Sequence, residues 1–391
     1  MNPKNPCSSP HKRGEIFVHE DLTRIASKHW RSQFLGDGHQ MLETWSQSLN
    51  FSKIGEKFGT PIYIFYPSQL EKNFSDYLQF VEQPRNIAYP VKANPSLAVL
   101  RQVLQLNGSV DCASKSEVNL AMFAGFVAER IIFNSPAADS HELVEMLKQG
   151  MTVVVDSAET LIEISELYSE SIPENSKIFL RVNPSIPLEY ANYQDWQSLT
   201  SNCSSLAKFG IPSEDLSKLL ASINIPICGL HIHAVSQIDN TKSFINIINF
   251  IHNLVDDIHS HTHHLISYLD LGGGLGINFT DNDNYPSISD LSQVLSKFKR
   301  TDITYIVEPG QSLVGNSMGL LTKVTAIKQI RGKRWAIVDV GSDQLAKITY
   351  LKWYHQILAV NHEPLPLEGN GFCWWSSLLF RRHTATKYLT F

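Results

Sequence analysis

The sequence predicts an α/β protein in which a closed (β/α)8 barrel is joined to a second, incomplete β domain. Eight short apolar segments recur along the chain, helix-period sequence lies between them, and alternating residues replace this pattern after about residue 323. Continuous apolar strands separated by helices indicate a parallel sheet that is covered on both faces. Eight such units favour closure into a barrel over an open, doubly wound sheet.

The apolar runs give the predicted elements in chain order. The barrel strands cover residues 86–91, 110–114, 131–134, 152–156, 178–182, 227–233, 267–272 and 304–308. Ser116–Ala124 and Ser140–Lys148 are examples of the helical sequence between strands, and a further strand is predicted at Ile62–Tyr66. We expect a disordered tail (1–14), an N-terminal segment that packs on the β domain (15–60), the barrel (61–323), and a partial β domain with an aberrant tail (324–391).

Composition argues against several classes of function. The formal net charge is −5 and there is no long basic block, which argues against a nucleic-acid partner. The five cysteines are scattered and form no C-x-x-C pair, which indicates a reducing compartment and argues against structural zinc. No secretion signal or membrane-spanning apolar run is found. We therefore expect a cytoplasmic protein without a membrane partner.

Unusual polar residues follow the predicted strands at their carboxyl ends, where barrels of this kind build their active sites. They are Lys92, Asp111, Ser114, Arg181, His231, His233, Ser236 and Glu308, and with them come the glycine run Gly272–Gly276 and the turn Glu308-Pro-Gly310. Polar residues with purely structural roles would not all occur at one end of the strands. The sequence therefore predicts a single site at this rim.

Lys92 is the candidate for covalent chemistry. It ends an apolar run and precedes the helix-breaking Asn94-Pro95. A lysine among apolar neighbours can lose its proton, and a neutral amine forms a Schiff base with an aldehyde. A lysine at a strand end is more often a solvated charge, so the assignment depends on the motifs downstream.

Three other features each have a functional and a structural interpretation. The run Gly272–Gly276 can cradle a phosphate with bare backbone N–H groups, or form a tight turn between strand and helix; its spacing is not that of a dinucleotide fingerprint. His233 can stack on a planar ring, or be a hydrogen-bonded core residue. Glu308 can keep a pyridine nitrogen protonated, or be a surface carboxylate before a Pro-Gly turn.

Six motifs follow one another along the chain. They are Ala88-Tyr-Pro-Val-Lys-Ala-Asn-Pro95, Asp111-Cys-Ala-Ser-Lys-Ser-Glu117, Ala207-Lys-Phe-Gly-Ile211, Gly229-Leu-His-Ile-His-Ala-Val-Ser-Gln237, Asp270-Leu-Gly-Gly-Gly-Leu-Gly276 and Glu308-Pro-Gly-Gln-Ser-Leu313. Their types and order resemble the fold-type III pyridoxal-phosphate decarboxylases, which include diaminopimelate and ornithine/arginine decarboxylases. The resemblance covers residues 55–345 and implies a TIM barrel like that of alanine racemase. His233–Gln237 and Asp339–Leu345 look closer to the siderophore-pathway decarboxylases.

The resemblance implies pyridoxal 5′-phosphate as cofactor and a role for each matching residue. Lys92 would be the Schiff-base lysine, His233 would stack on the ring with Arg181 nearby, and Glu308 would pair with the pyridine nitrogen. The other implied cofactor-binding residues are Asp111, Ser236, Gly272, Gly273, Gly274, Gly310 and Gln311. The implied reaction is decarboxylation of an amino acid, and the implied partner is a second copy of the chain if the C-terminal domain is intact.

The sequence departs from the family pattern at two places. Gln311 stands where the family usually has an arginine that contacts the phosphate, and glutamine supplies no charge. The chain also lacks the family's Gly-Pro-Leu-Cys motif, whose cysteine acts as an acid in the partner's site, and the phosphate-binding tyrosine after it. Cys373 is not in that context, and residues 371–391 show no strand pattern. We expect the chain as written to be weak or inactive.

A shifted reading frame would account for the missing motif. Tryptophan has a single codon, so reading Trp374-Trp375 one base later gives Gly-Gly, and the codons for Ser376–Thr384 permit Pro-Leu-Cys-Phe-Ser-Ala-Asp-Thr-Leu. Sequencing the gene tests this hypothesis: it fails if no nearby one-base change restores Gly-Pro-Leu-Cys.

Other interpretations stay open. A non-catalytic barrel that partners an active homologue would explain the missing cysteine but not the retained Lys92, and an amino-acid racemase agrees less well with the motifs that begin at Gly229 and Glu308. The segment Ser205–Lys208 is the candidate for selecting among diaminopimelate, ornithine-type and siderophore-precursor substrates. The histidines at 259, 261, 263 and 264 are interpreted as a solvated loop and not a metal site, because no cysteine or carboxylate joins them at ligand spacing.

Overall fold

The computed structural model describes residues 49–169, 171–184, 207–234, 240–277, 285–331, 333–341, 344, 358–359, 377–379 and 388–390. The chain divides into two compact units. One consists of Ile64–Asn278 with Asn284–Gly319, and the other contains the remaining residues. In the described residues no helix is both long enough and apolar enough to cross a membrane.

Fifteen strands and ten α-helices make up the described structure. The strands are β1 (Ile62–Phe65), β2 (Ala88–Pro90), β3 (Ser109–Cys112), β4 (Ile131–Phe133), β5 (Thr152–Val155), β6 (Lys177–Asn183), β7 (Ile211–Pro212), β8 (Gly229–His231), β9 (Tyr268–Asp270), β10 (Thr304–Ile306), β11 (Met318–Ile330), β12 (Lys333–Val338), β13 (Leu358–Ala359), β14 (Ser377–Leu379) and β15 (Tyr388–Thr390). The α-helices are Phe51–Phe58, Pro67–Tyr77, Leu97–Gln105, Lys115–Ala124, Ser140–Lys148, Ala158–Leu167, Ser213–Leu220, Thr241–His261, Ile288–Phe298 and Gln311–Val314.

The larger unit is a parallel barrel. Its strands pair in the order β2-β3-β4-β5-β6-β8-β9-β10, with the short β7 added beside β6. A parallel bridge between Ile87 and Val307 brings the first and last strands together. Two backbone hydrogen bonds support this closure: Ala88 N donates to Val307 O at 2.8 Å, and Val307 N donates to Asn86 O at 3.0 Å. All eight predicted barrel strands are confirmed, and a helix lies between each consecutive pair.

Short polar side chains start the helices that follow the strands. Ser96, Ser114, Asp139, Ser157 and Asn240 each accept a hydrogen bond from the backbone N–H three residues later. Such N-caps satisfy amides that have no partner inside the helix. Each of these turns is therefore fixed by local hydrogen bonds, and this holds the carboxyl ends of the strands in place.

A layer of apolar side chains packs inside the barrel. Ala88, Ile132, Val154, Phe179 and Ile306 form one buried cluster. They come from strands on opposite sides of the barrel, so they meet in its interior. Gly229 leaves room for this layer, because a Cβ atom there would lie 2.2 Å from Cδ1 of Phe179.

The second sheet is antiparallel, as the alternating sequence after residue 323 predicts. Its strand order is β13-β15-β11-β12-β14, and β1 also pairs with β11. The expectation that residues 371–391 contain no strands is wrong: β14 pairs with β12, and β15 pairs with both β11 and β13. Backbone pairing with a neighbouring strand stabilises these three-residue segments without an alternating pattern of their own. Cys373 lies outside the described residues.

Candidate active site

A layer of polar side chains follows the apolar layer of the barrel, toward the carboxyl ends of the strands. Side chains alternate along a strand, so the residue two positions after an inward-facing residue also faces inward. Counting two residues onward from the inward residues of the eight barrel strands gives Pro90, Asp111, Asn134, Asp156, Arg181, His231, Asp270 and Glu308. All but one of these are polar. The barrel interior therefore changes from apolar to polar over two residues along each strand.

Strand register sets several of these residues at the same height. Arg181 pairs with His231, and His231 pairs with Asp270. On the other side of the barrel, Asp111 is in register with Pro90, two residues before Lys92. Neighbours in register on a parallel sheet point to the same face, so their side chains are close to one another.

Lys92 lies in a 3₁₀ turn, Val91–Ala93, that follows β2. Its Nζ atom is 3.4 Å from Oδ2 of Asp111, and its side chain is 58% exposed whereas that of Asp111 is fully buried. The Asp111 carboxylate raises the pKa of Lys92 above its ordinary value, and this outweighs the opposite effect of partial burial. Burial alone would favour the neutral amine, whereas the buried carboxylate of Asp111 favours the ammonium form of Lys92.

Asp111 itself titrates near neutral pH. Burial, and next the charge of Glu308, raise the pKa of Asp111 to about 6, while Lys92 acts in the opposite direction. One oxygen of Asp111, Oδ1, has no hydrogen-bond partner in the described part of the chain. The pair thus places at the rim a charged amine and a carboxylate whose Oδ1 atom can still accept a hydrogen bond.

We predict that Asp111→Asn lowers the pKa of the Lys92 amine, because the substitution removes the charge that contributes most to raising it. The measurement is the pH dependence of labelling by an amine-reactive reagent in cofactor-free protein, read at each lysine by mass spectrometry. Lys92 should react at lower pH in the variant. Lys115, whose partner is Glu145 at 2.8 Å, should keep its profile. An unchanged Lys92 profile would contradict the assignment.

Glu308 follows β10, the strand that closes the barrel against β2, and is 4% exposed. The interpretation of this residue as a surface carboxylate is therefore excluded. Its Oε2 atom is 3.3 Å from Nε2 of His231, which is also 3.3 Å from Nδ2 of Asn134. Burial holds the pKa of His231 well below its ordinary value, so the imidazole is neutral at pH 7. The second oxygen of Glu308, Oε1, has no hydrogen-bond partner among the described residues.

The glycine turn joins β9 to Glu308 and His233. Gly272 O accepts the N–H of Glu308 at 2.7 Å, and Gly273 N donates to Nδ1 of His233 at 3.2 Å. Gly272 has a φ of +64°, and a Cβ atom on Gly273 would lie 2.3 Å from the carbonyl oxygen of Glu308. Only glycine fits both positions. Burial lowers the pKa of His233, so its ring is neutral and can accept this hydrogen bond.

Arg181 is held between an acid and an aromatic ring. Its Nη1 atom is 3.5 Å from Oδ1 of Asp156, and its guanidinium carbon is 4.6 Å from the ring centroid of Phe209. A guanidinium over an aromatic face is attracted by the ring quadrupole. The motif Ala207–Ile211 therefore reaches the polar layer through Phe209. Ser205 lies outside the described residues, and Lys208 is exposed.

The loop after β10 completes the rim. A Cβ atom on Gly310 would lie 3.2 Å from Cγ of Pro90 and 3.4 Å from Cβ of Ala93, so this loop is adjacent to the turn that carries Lys92. Gln311 begins the helix Gln311–Val314. The structure thus gathers the predicted site residues at one rim, except Ser236, which lies outside the described residues.

Sequence reasoning assigned no site role to three members of the layer, although Asp270 begins one of the six motifs. Asn134, Asp156 and Asp270 lie two residues after an inward-facing residue of β4, β5 and β9. Counting in steps of two from the inward-facing residue of each strand indicates all three. His231, Asp270 and Glu308 are also the one group of described residues with the spacing of metal ligands.

Two of the histidines near residue 260, His259 and His264, make hydrogen bonds to neighbouring segments, whereas His261 and His263 are exposed. His259 and His261 lie in the helix Thr241–His261 and not in a loop. His264 is buried, and its Nε2 atom is 3.2 Å and 3.0 Å from the carbonyl oxygens of Leu220 and Ile223. The expectation of a solvated run is therefore wrong for His264, whose ring caps the carboxyl end of a neighbouring helix.

The polar layer fits a planar pyridine ring that carries an aldehyde and a phosphate. Lys92 offers an exposed amine, and Glu308 offers a buried carboxylate oxygen without a partner in the described part of the chain. The glycine turn, which bonds to the backbone of Glu308, has no room for side chains at Gly273, and backbone of this kind approaches an anion closely. These donors and acceptors match the aldehyde, the ring nitrogen and the phosphate.

Comparison with known proteins agrees with this geometry. The family described as "Pyridoxal-dependent decarboxylase, pyridoxal binding domain" matches residues 68–315, more than half of the chain. A protein of Oryza sativa subsp. japonica named "Probable diaminopimelate decarboxylase, chloroplastic" is 31% identical over 316 residues, 78% of this chain and 62% of that protein. The chain therefore spans less than two thirds of that relative. The diaminopimelate decarboxylase of Archaeoglobus fulgidus is 30% identical over 330 residues, 81% of this chain and 75% of that protein.

Solved structures show the same fold. A diaminopimelate decarboxylase from Helicobacter pylori, complexed with L-lysine, has a TM-score of 0.71 at 23% identity and covers 87% of each chain. An arginine decarboxylase from Paramecium bursaria Chlorella virus, bound to agmatine, has a TM-score of 0.67 at 19% identity, covering 87% of this chain and 92% of that chain. At these identities the likeness concerns the fold, a TIM barrel with a β domain.

Proposed function

The chain belongs to the pyridoxal-dependent decarboxylases, and from that premise we propose that it releases carbon dioxide from an amino acid with pyridoxal phosphate held in the barrel. One observation carries the proposal: the amine of Lys92 and the buried carboxylate of Glu308 lie at one rim, and the loop after Glu308 is adjacent to the turn of Lys92. The charge of Glu308 also raises the pKa of Lys92, which indicates that the two groups interact across the site.

Each residue of the site has a separate task. Lys92 would hold the cofactor covalently and exchange it for the substrate amine, and Asp111 would keep the lysine positioned. Glu308 would hold a proton at the ring nitrogen. The glycine turn would bind the phosphate from Gly274 onward, because the N–H groups of Gly272 and Gly273 already donate to Asp270 and His233. When bound, pyridoxal phosphate supplies an electron sink for the electron pair left by the departing carboxyl group.

The proposed substrate is a diaminopimelate-type amino acid. Both relatives above that are at least 30% identical carry the name diaminopimelate decarboxylase, and this supports diaminopimelate ahead of ornithine-type and siderophore-precursor substrates. Lys208 is exposed next to Phe209 at the rim. A cation at that position suits a substrate that carries a second carboxylate.

The experiment that tests the function uses the full chain loaded with pyridoxal phosphate. Carbon dioxide release is measured with diaminopimelate, ornithine, arginine, lysine and citryl-diamino acids. Borohydride reduction followed by mass spectrometry tests whether the cofactor is attached to Lys92. Release from one of these amino acids together with attachment at Lys92 supports the proposal, whereas cofactor attachment without release would favour a non-catalytic relative.

We also propose that this chain is a slow enzyme. None of its 391 residues forms the Gly-Pro-Leu-Cys motif that the resemblance implies, and an acid is needed to reprotonate the α-carbon after the carboxyl group leaves. The test compares the chain with a variant in which residues 374–384 are replaced by Gly-Gly-Pro-Leu-Cys-Phe-Ser-Ala-Asp-Thr-Leu. Equal rates for the two proteins would contradict this proposal.

Gln311→Arg is predicted to tighten cofactor binding. An arginine would add a charge-assisted hydrogen bond to the phosphate where glutamine offers a neutral one, which corresponds to a roughly fivefold to tenfold lower Kd. The Kd is measured by titrating cofactor-free protein with pyridoxal phosphate. Gln149→Arg adds the same charge at an exposed residue before β5, at the other end of the barrel, and should leave the Kd unchanged. Equal effects of both variants would contradict a local role.

A further inference from the structure

Asp270 and Glu308 form a pair of buried carboxyl groups. Asp270 ends β9 and is fully buried, and Glu308 follows β10 and is 4% exposed. The ligand atoms that they and His231 offer all lie within 4.8 Å of one another. Two carboxylates so close together and away from water cannot both ionise at moderate cost, because each charge disfavours the other and both have lost their hydration.

Each carboxyl group has one oxygen with a bond and one without. Oδ1 of Asp270 accepts the N–H of Gly272 at 2.9 Å, and Oε2 of Glu308 lies 3.3 Å from Nε2 of His231. Oδ2 of Asp270 and Oε1 of Glu308 have no hydrogen-bond partner in the described part of the chain. One proton between the two carboxyl groups would satisfy both unpaired oxygens.

We propose that Asp270 and Glu308 share one proton, held mainly by Asp270, and that Asp270 is thereby a positioning residue for the Glu308 carboxylate. Asp270 then binds two partners at once: it accepts from the glycine turn through Oδ1 and donates to Glu308 through Oδ2. Because Glu308 N also donates to Gly272 O at 2.7 Å, the acid, the turn and Glu308 form one closed hydrogen-bonded unit.

The charges around the pair favour a single proton. The groups that act on one or both carboxyls are Asp111 on β3, His231 on β8, His233 after β8 and Lys92 after β2. The two histidines are neutral because burial lowers the pKa of each. With the shared proton, Lys92 faces two negative charges, on Asp111 and Glu308; without it, the same lysine would face three. Burial first, and Glu308 next, raise the pKa of Asp270 well above its ordinary value.

The proposal assigns Asp270 a distinct task in the proposed decarboxylation. A neutral acid that donates to Glu308 leaves that residue with its negative charge and fixes the orientation of its carboxylate. A second ionised carboxylate would instead add negative charge and could not donate a hydrogen bond to Glu308. Asp270→Asn separates these two cases, because its amide can accept from Gly272 and donate to Glu308 but cannot ionise.

The first experiment is infrared difference spectroscopy of the cofactor-free full chain at pH 8, after treatment with a chelator. The chelator matters because a divalent cation at these side chains would keep both carboxyls ionised. At this pH Asp111, with a pKa of about 6, is ionised. We expect the carbonyl band of a protonated carboxylic acid, its loss in Asp270→Asn, and its retention in Asp139→Asn, a control at a helix N-cap. Absence of the band, or its persistence in Asp270→Asn, would overturn the proposal.

The second experiment rests on the proposed function and uses the holoenzyme. Asp270→Asn should retain more kcat than Asp270→Leu and extend activity to higher pH, because its donor cannot be titrated. Asp270→Leu should lower kcat by about 10-fold to 100-fold with little change in KM. A loss in Asp270→Asn as large as that in Asp270→Leu would overturn the positioning role. Because the infrared band is read without substrate, failure of the proposed decarboxylation would leave the first experiment decisive.

Discussion

Lys92→Met is expected to abolish carbon dioxide release, with a loss on the order of 10³-fold or more in kcat. Methionine keeps an unbranched side chain of similar length but has no amine to hold the cofactor or exchange it with the substrate. Borohydride reduction of the variant should leave its mass unchanged, whereas the unchanged chain should gain the mass of the reduced cofactor.

The matched control for this prediction is Lys115→Met. Lys115 begins a helix near the same rim and pairs on the surface with Glu145 at 2.8 Å. Surface ion pairs of this kind contribute at most about 1 kcal/mol, so its activity should stay near that of the unchanged chain. Borohydride labelling of another lysine in Lys92→Met, with activity retained, would remove Lys92 from the reaction.

Glu308→Gln should produce the second largest effect. Glutamine keeps the shape and can still contact His231, but it cannot place a negative charge beside the ring nitrogen. We expect kcat to fall by about 10²-fold to 10³-fold, because charge stabilisation inside a buried site contributes strongly to catalysis. The measurement is steady-state carbon dioxide release, with cofactor content determined for each preparation.

Glu163→Gln, at an exposed helical position, is the control for Glu308→Gln. It removes the same charge from the surface and should leave kcat unchanged. If Glu308→Gln retained full activity with full cofactor content, the pairing of this residue with the ring nitrogen would be wrong. Another group would then have to keep the ring nitrogen protonated.

The barrel was predictable because its strands are buried on both faces. Runs such as Thr152–Val155 contain only residues that suit such a strand, and the caps at Ser114 and Asp139 indicate where the next helices begin. Motifs also located Lys92, the glycine turn and Glu308. The alternation of strands and helices shows where the carboxyl end of each strand lies. This was enough to predict that these residues share one rim.

Other features depend on neighbours that are distant in sequence. Asp111 on the adjacent strand makes the largest contribution to the raised pKa of Lys92, and the apolar sequence neighbours of Lys92 do not indicate this. The role of His264 depends on two carbonyl groups more than forty residues away. Strands β14 and β15 are stabilised by the longer strands they pair with. In each case the deciding interaction is tertiary.

The bridge between Ile87 and Val307 has a consequence for synthesis on the ribosome. Lys92 leaves the exit tunnel long before Glu308, and the early strand waits for its last neighbour with an open hydrogen-bonding edge. Such long-range pairing folds slowly and exposes nascent chains to aggregation.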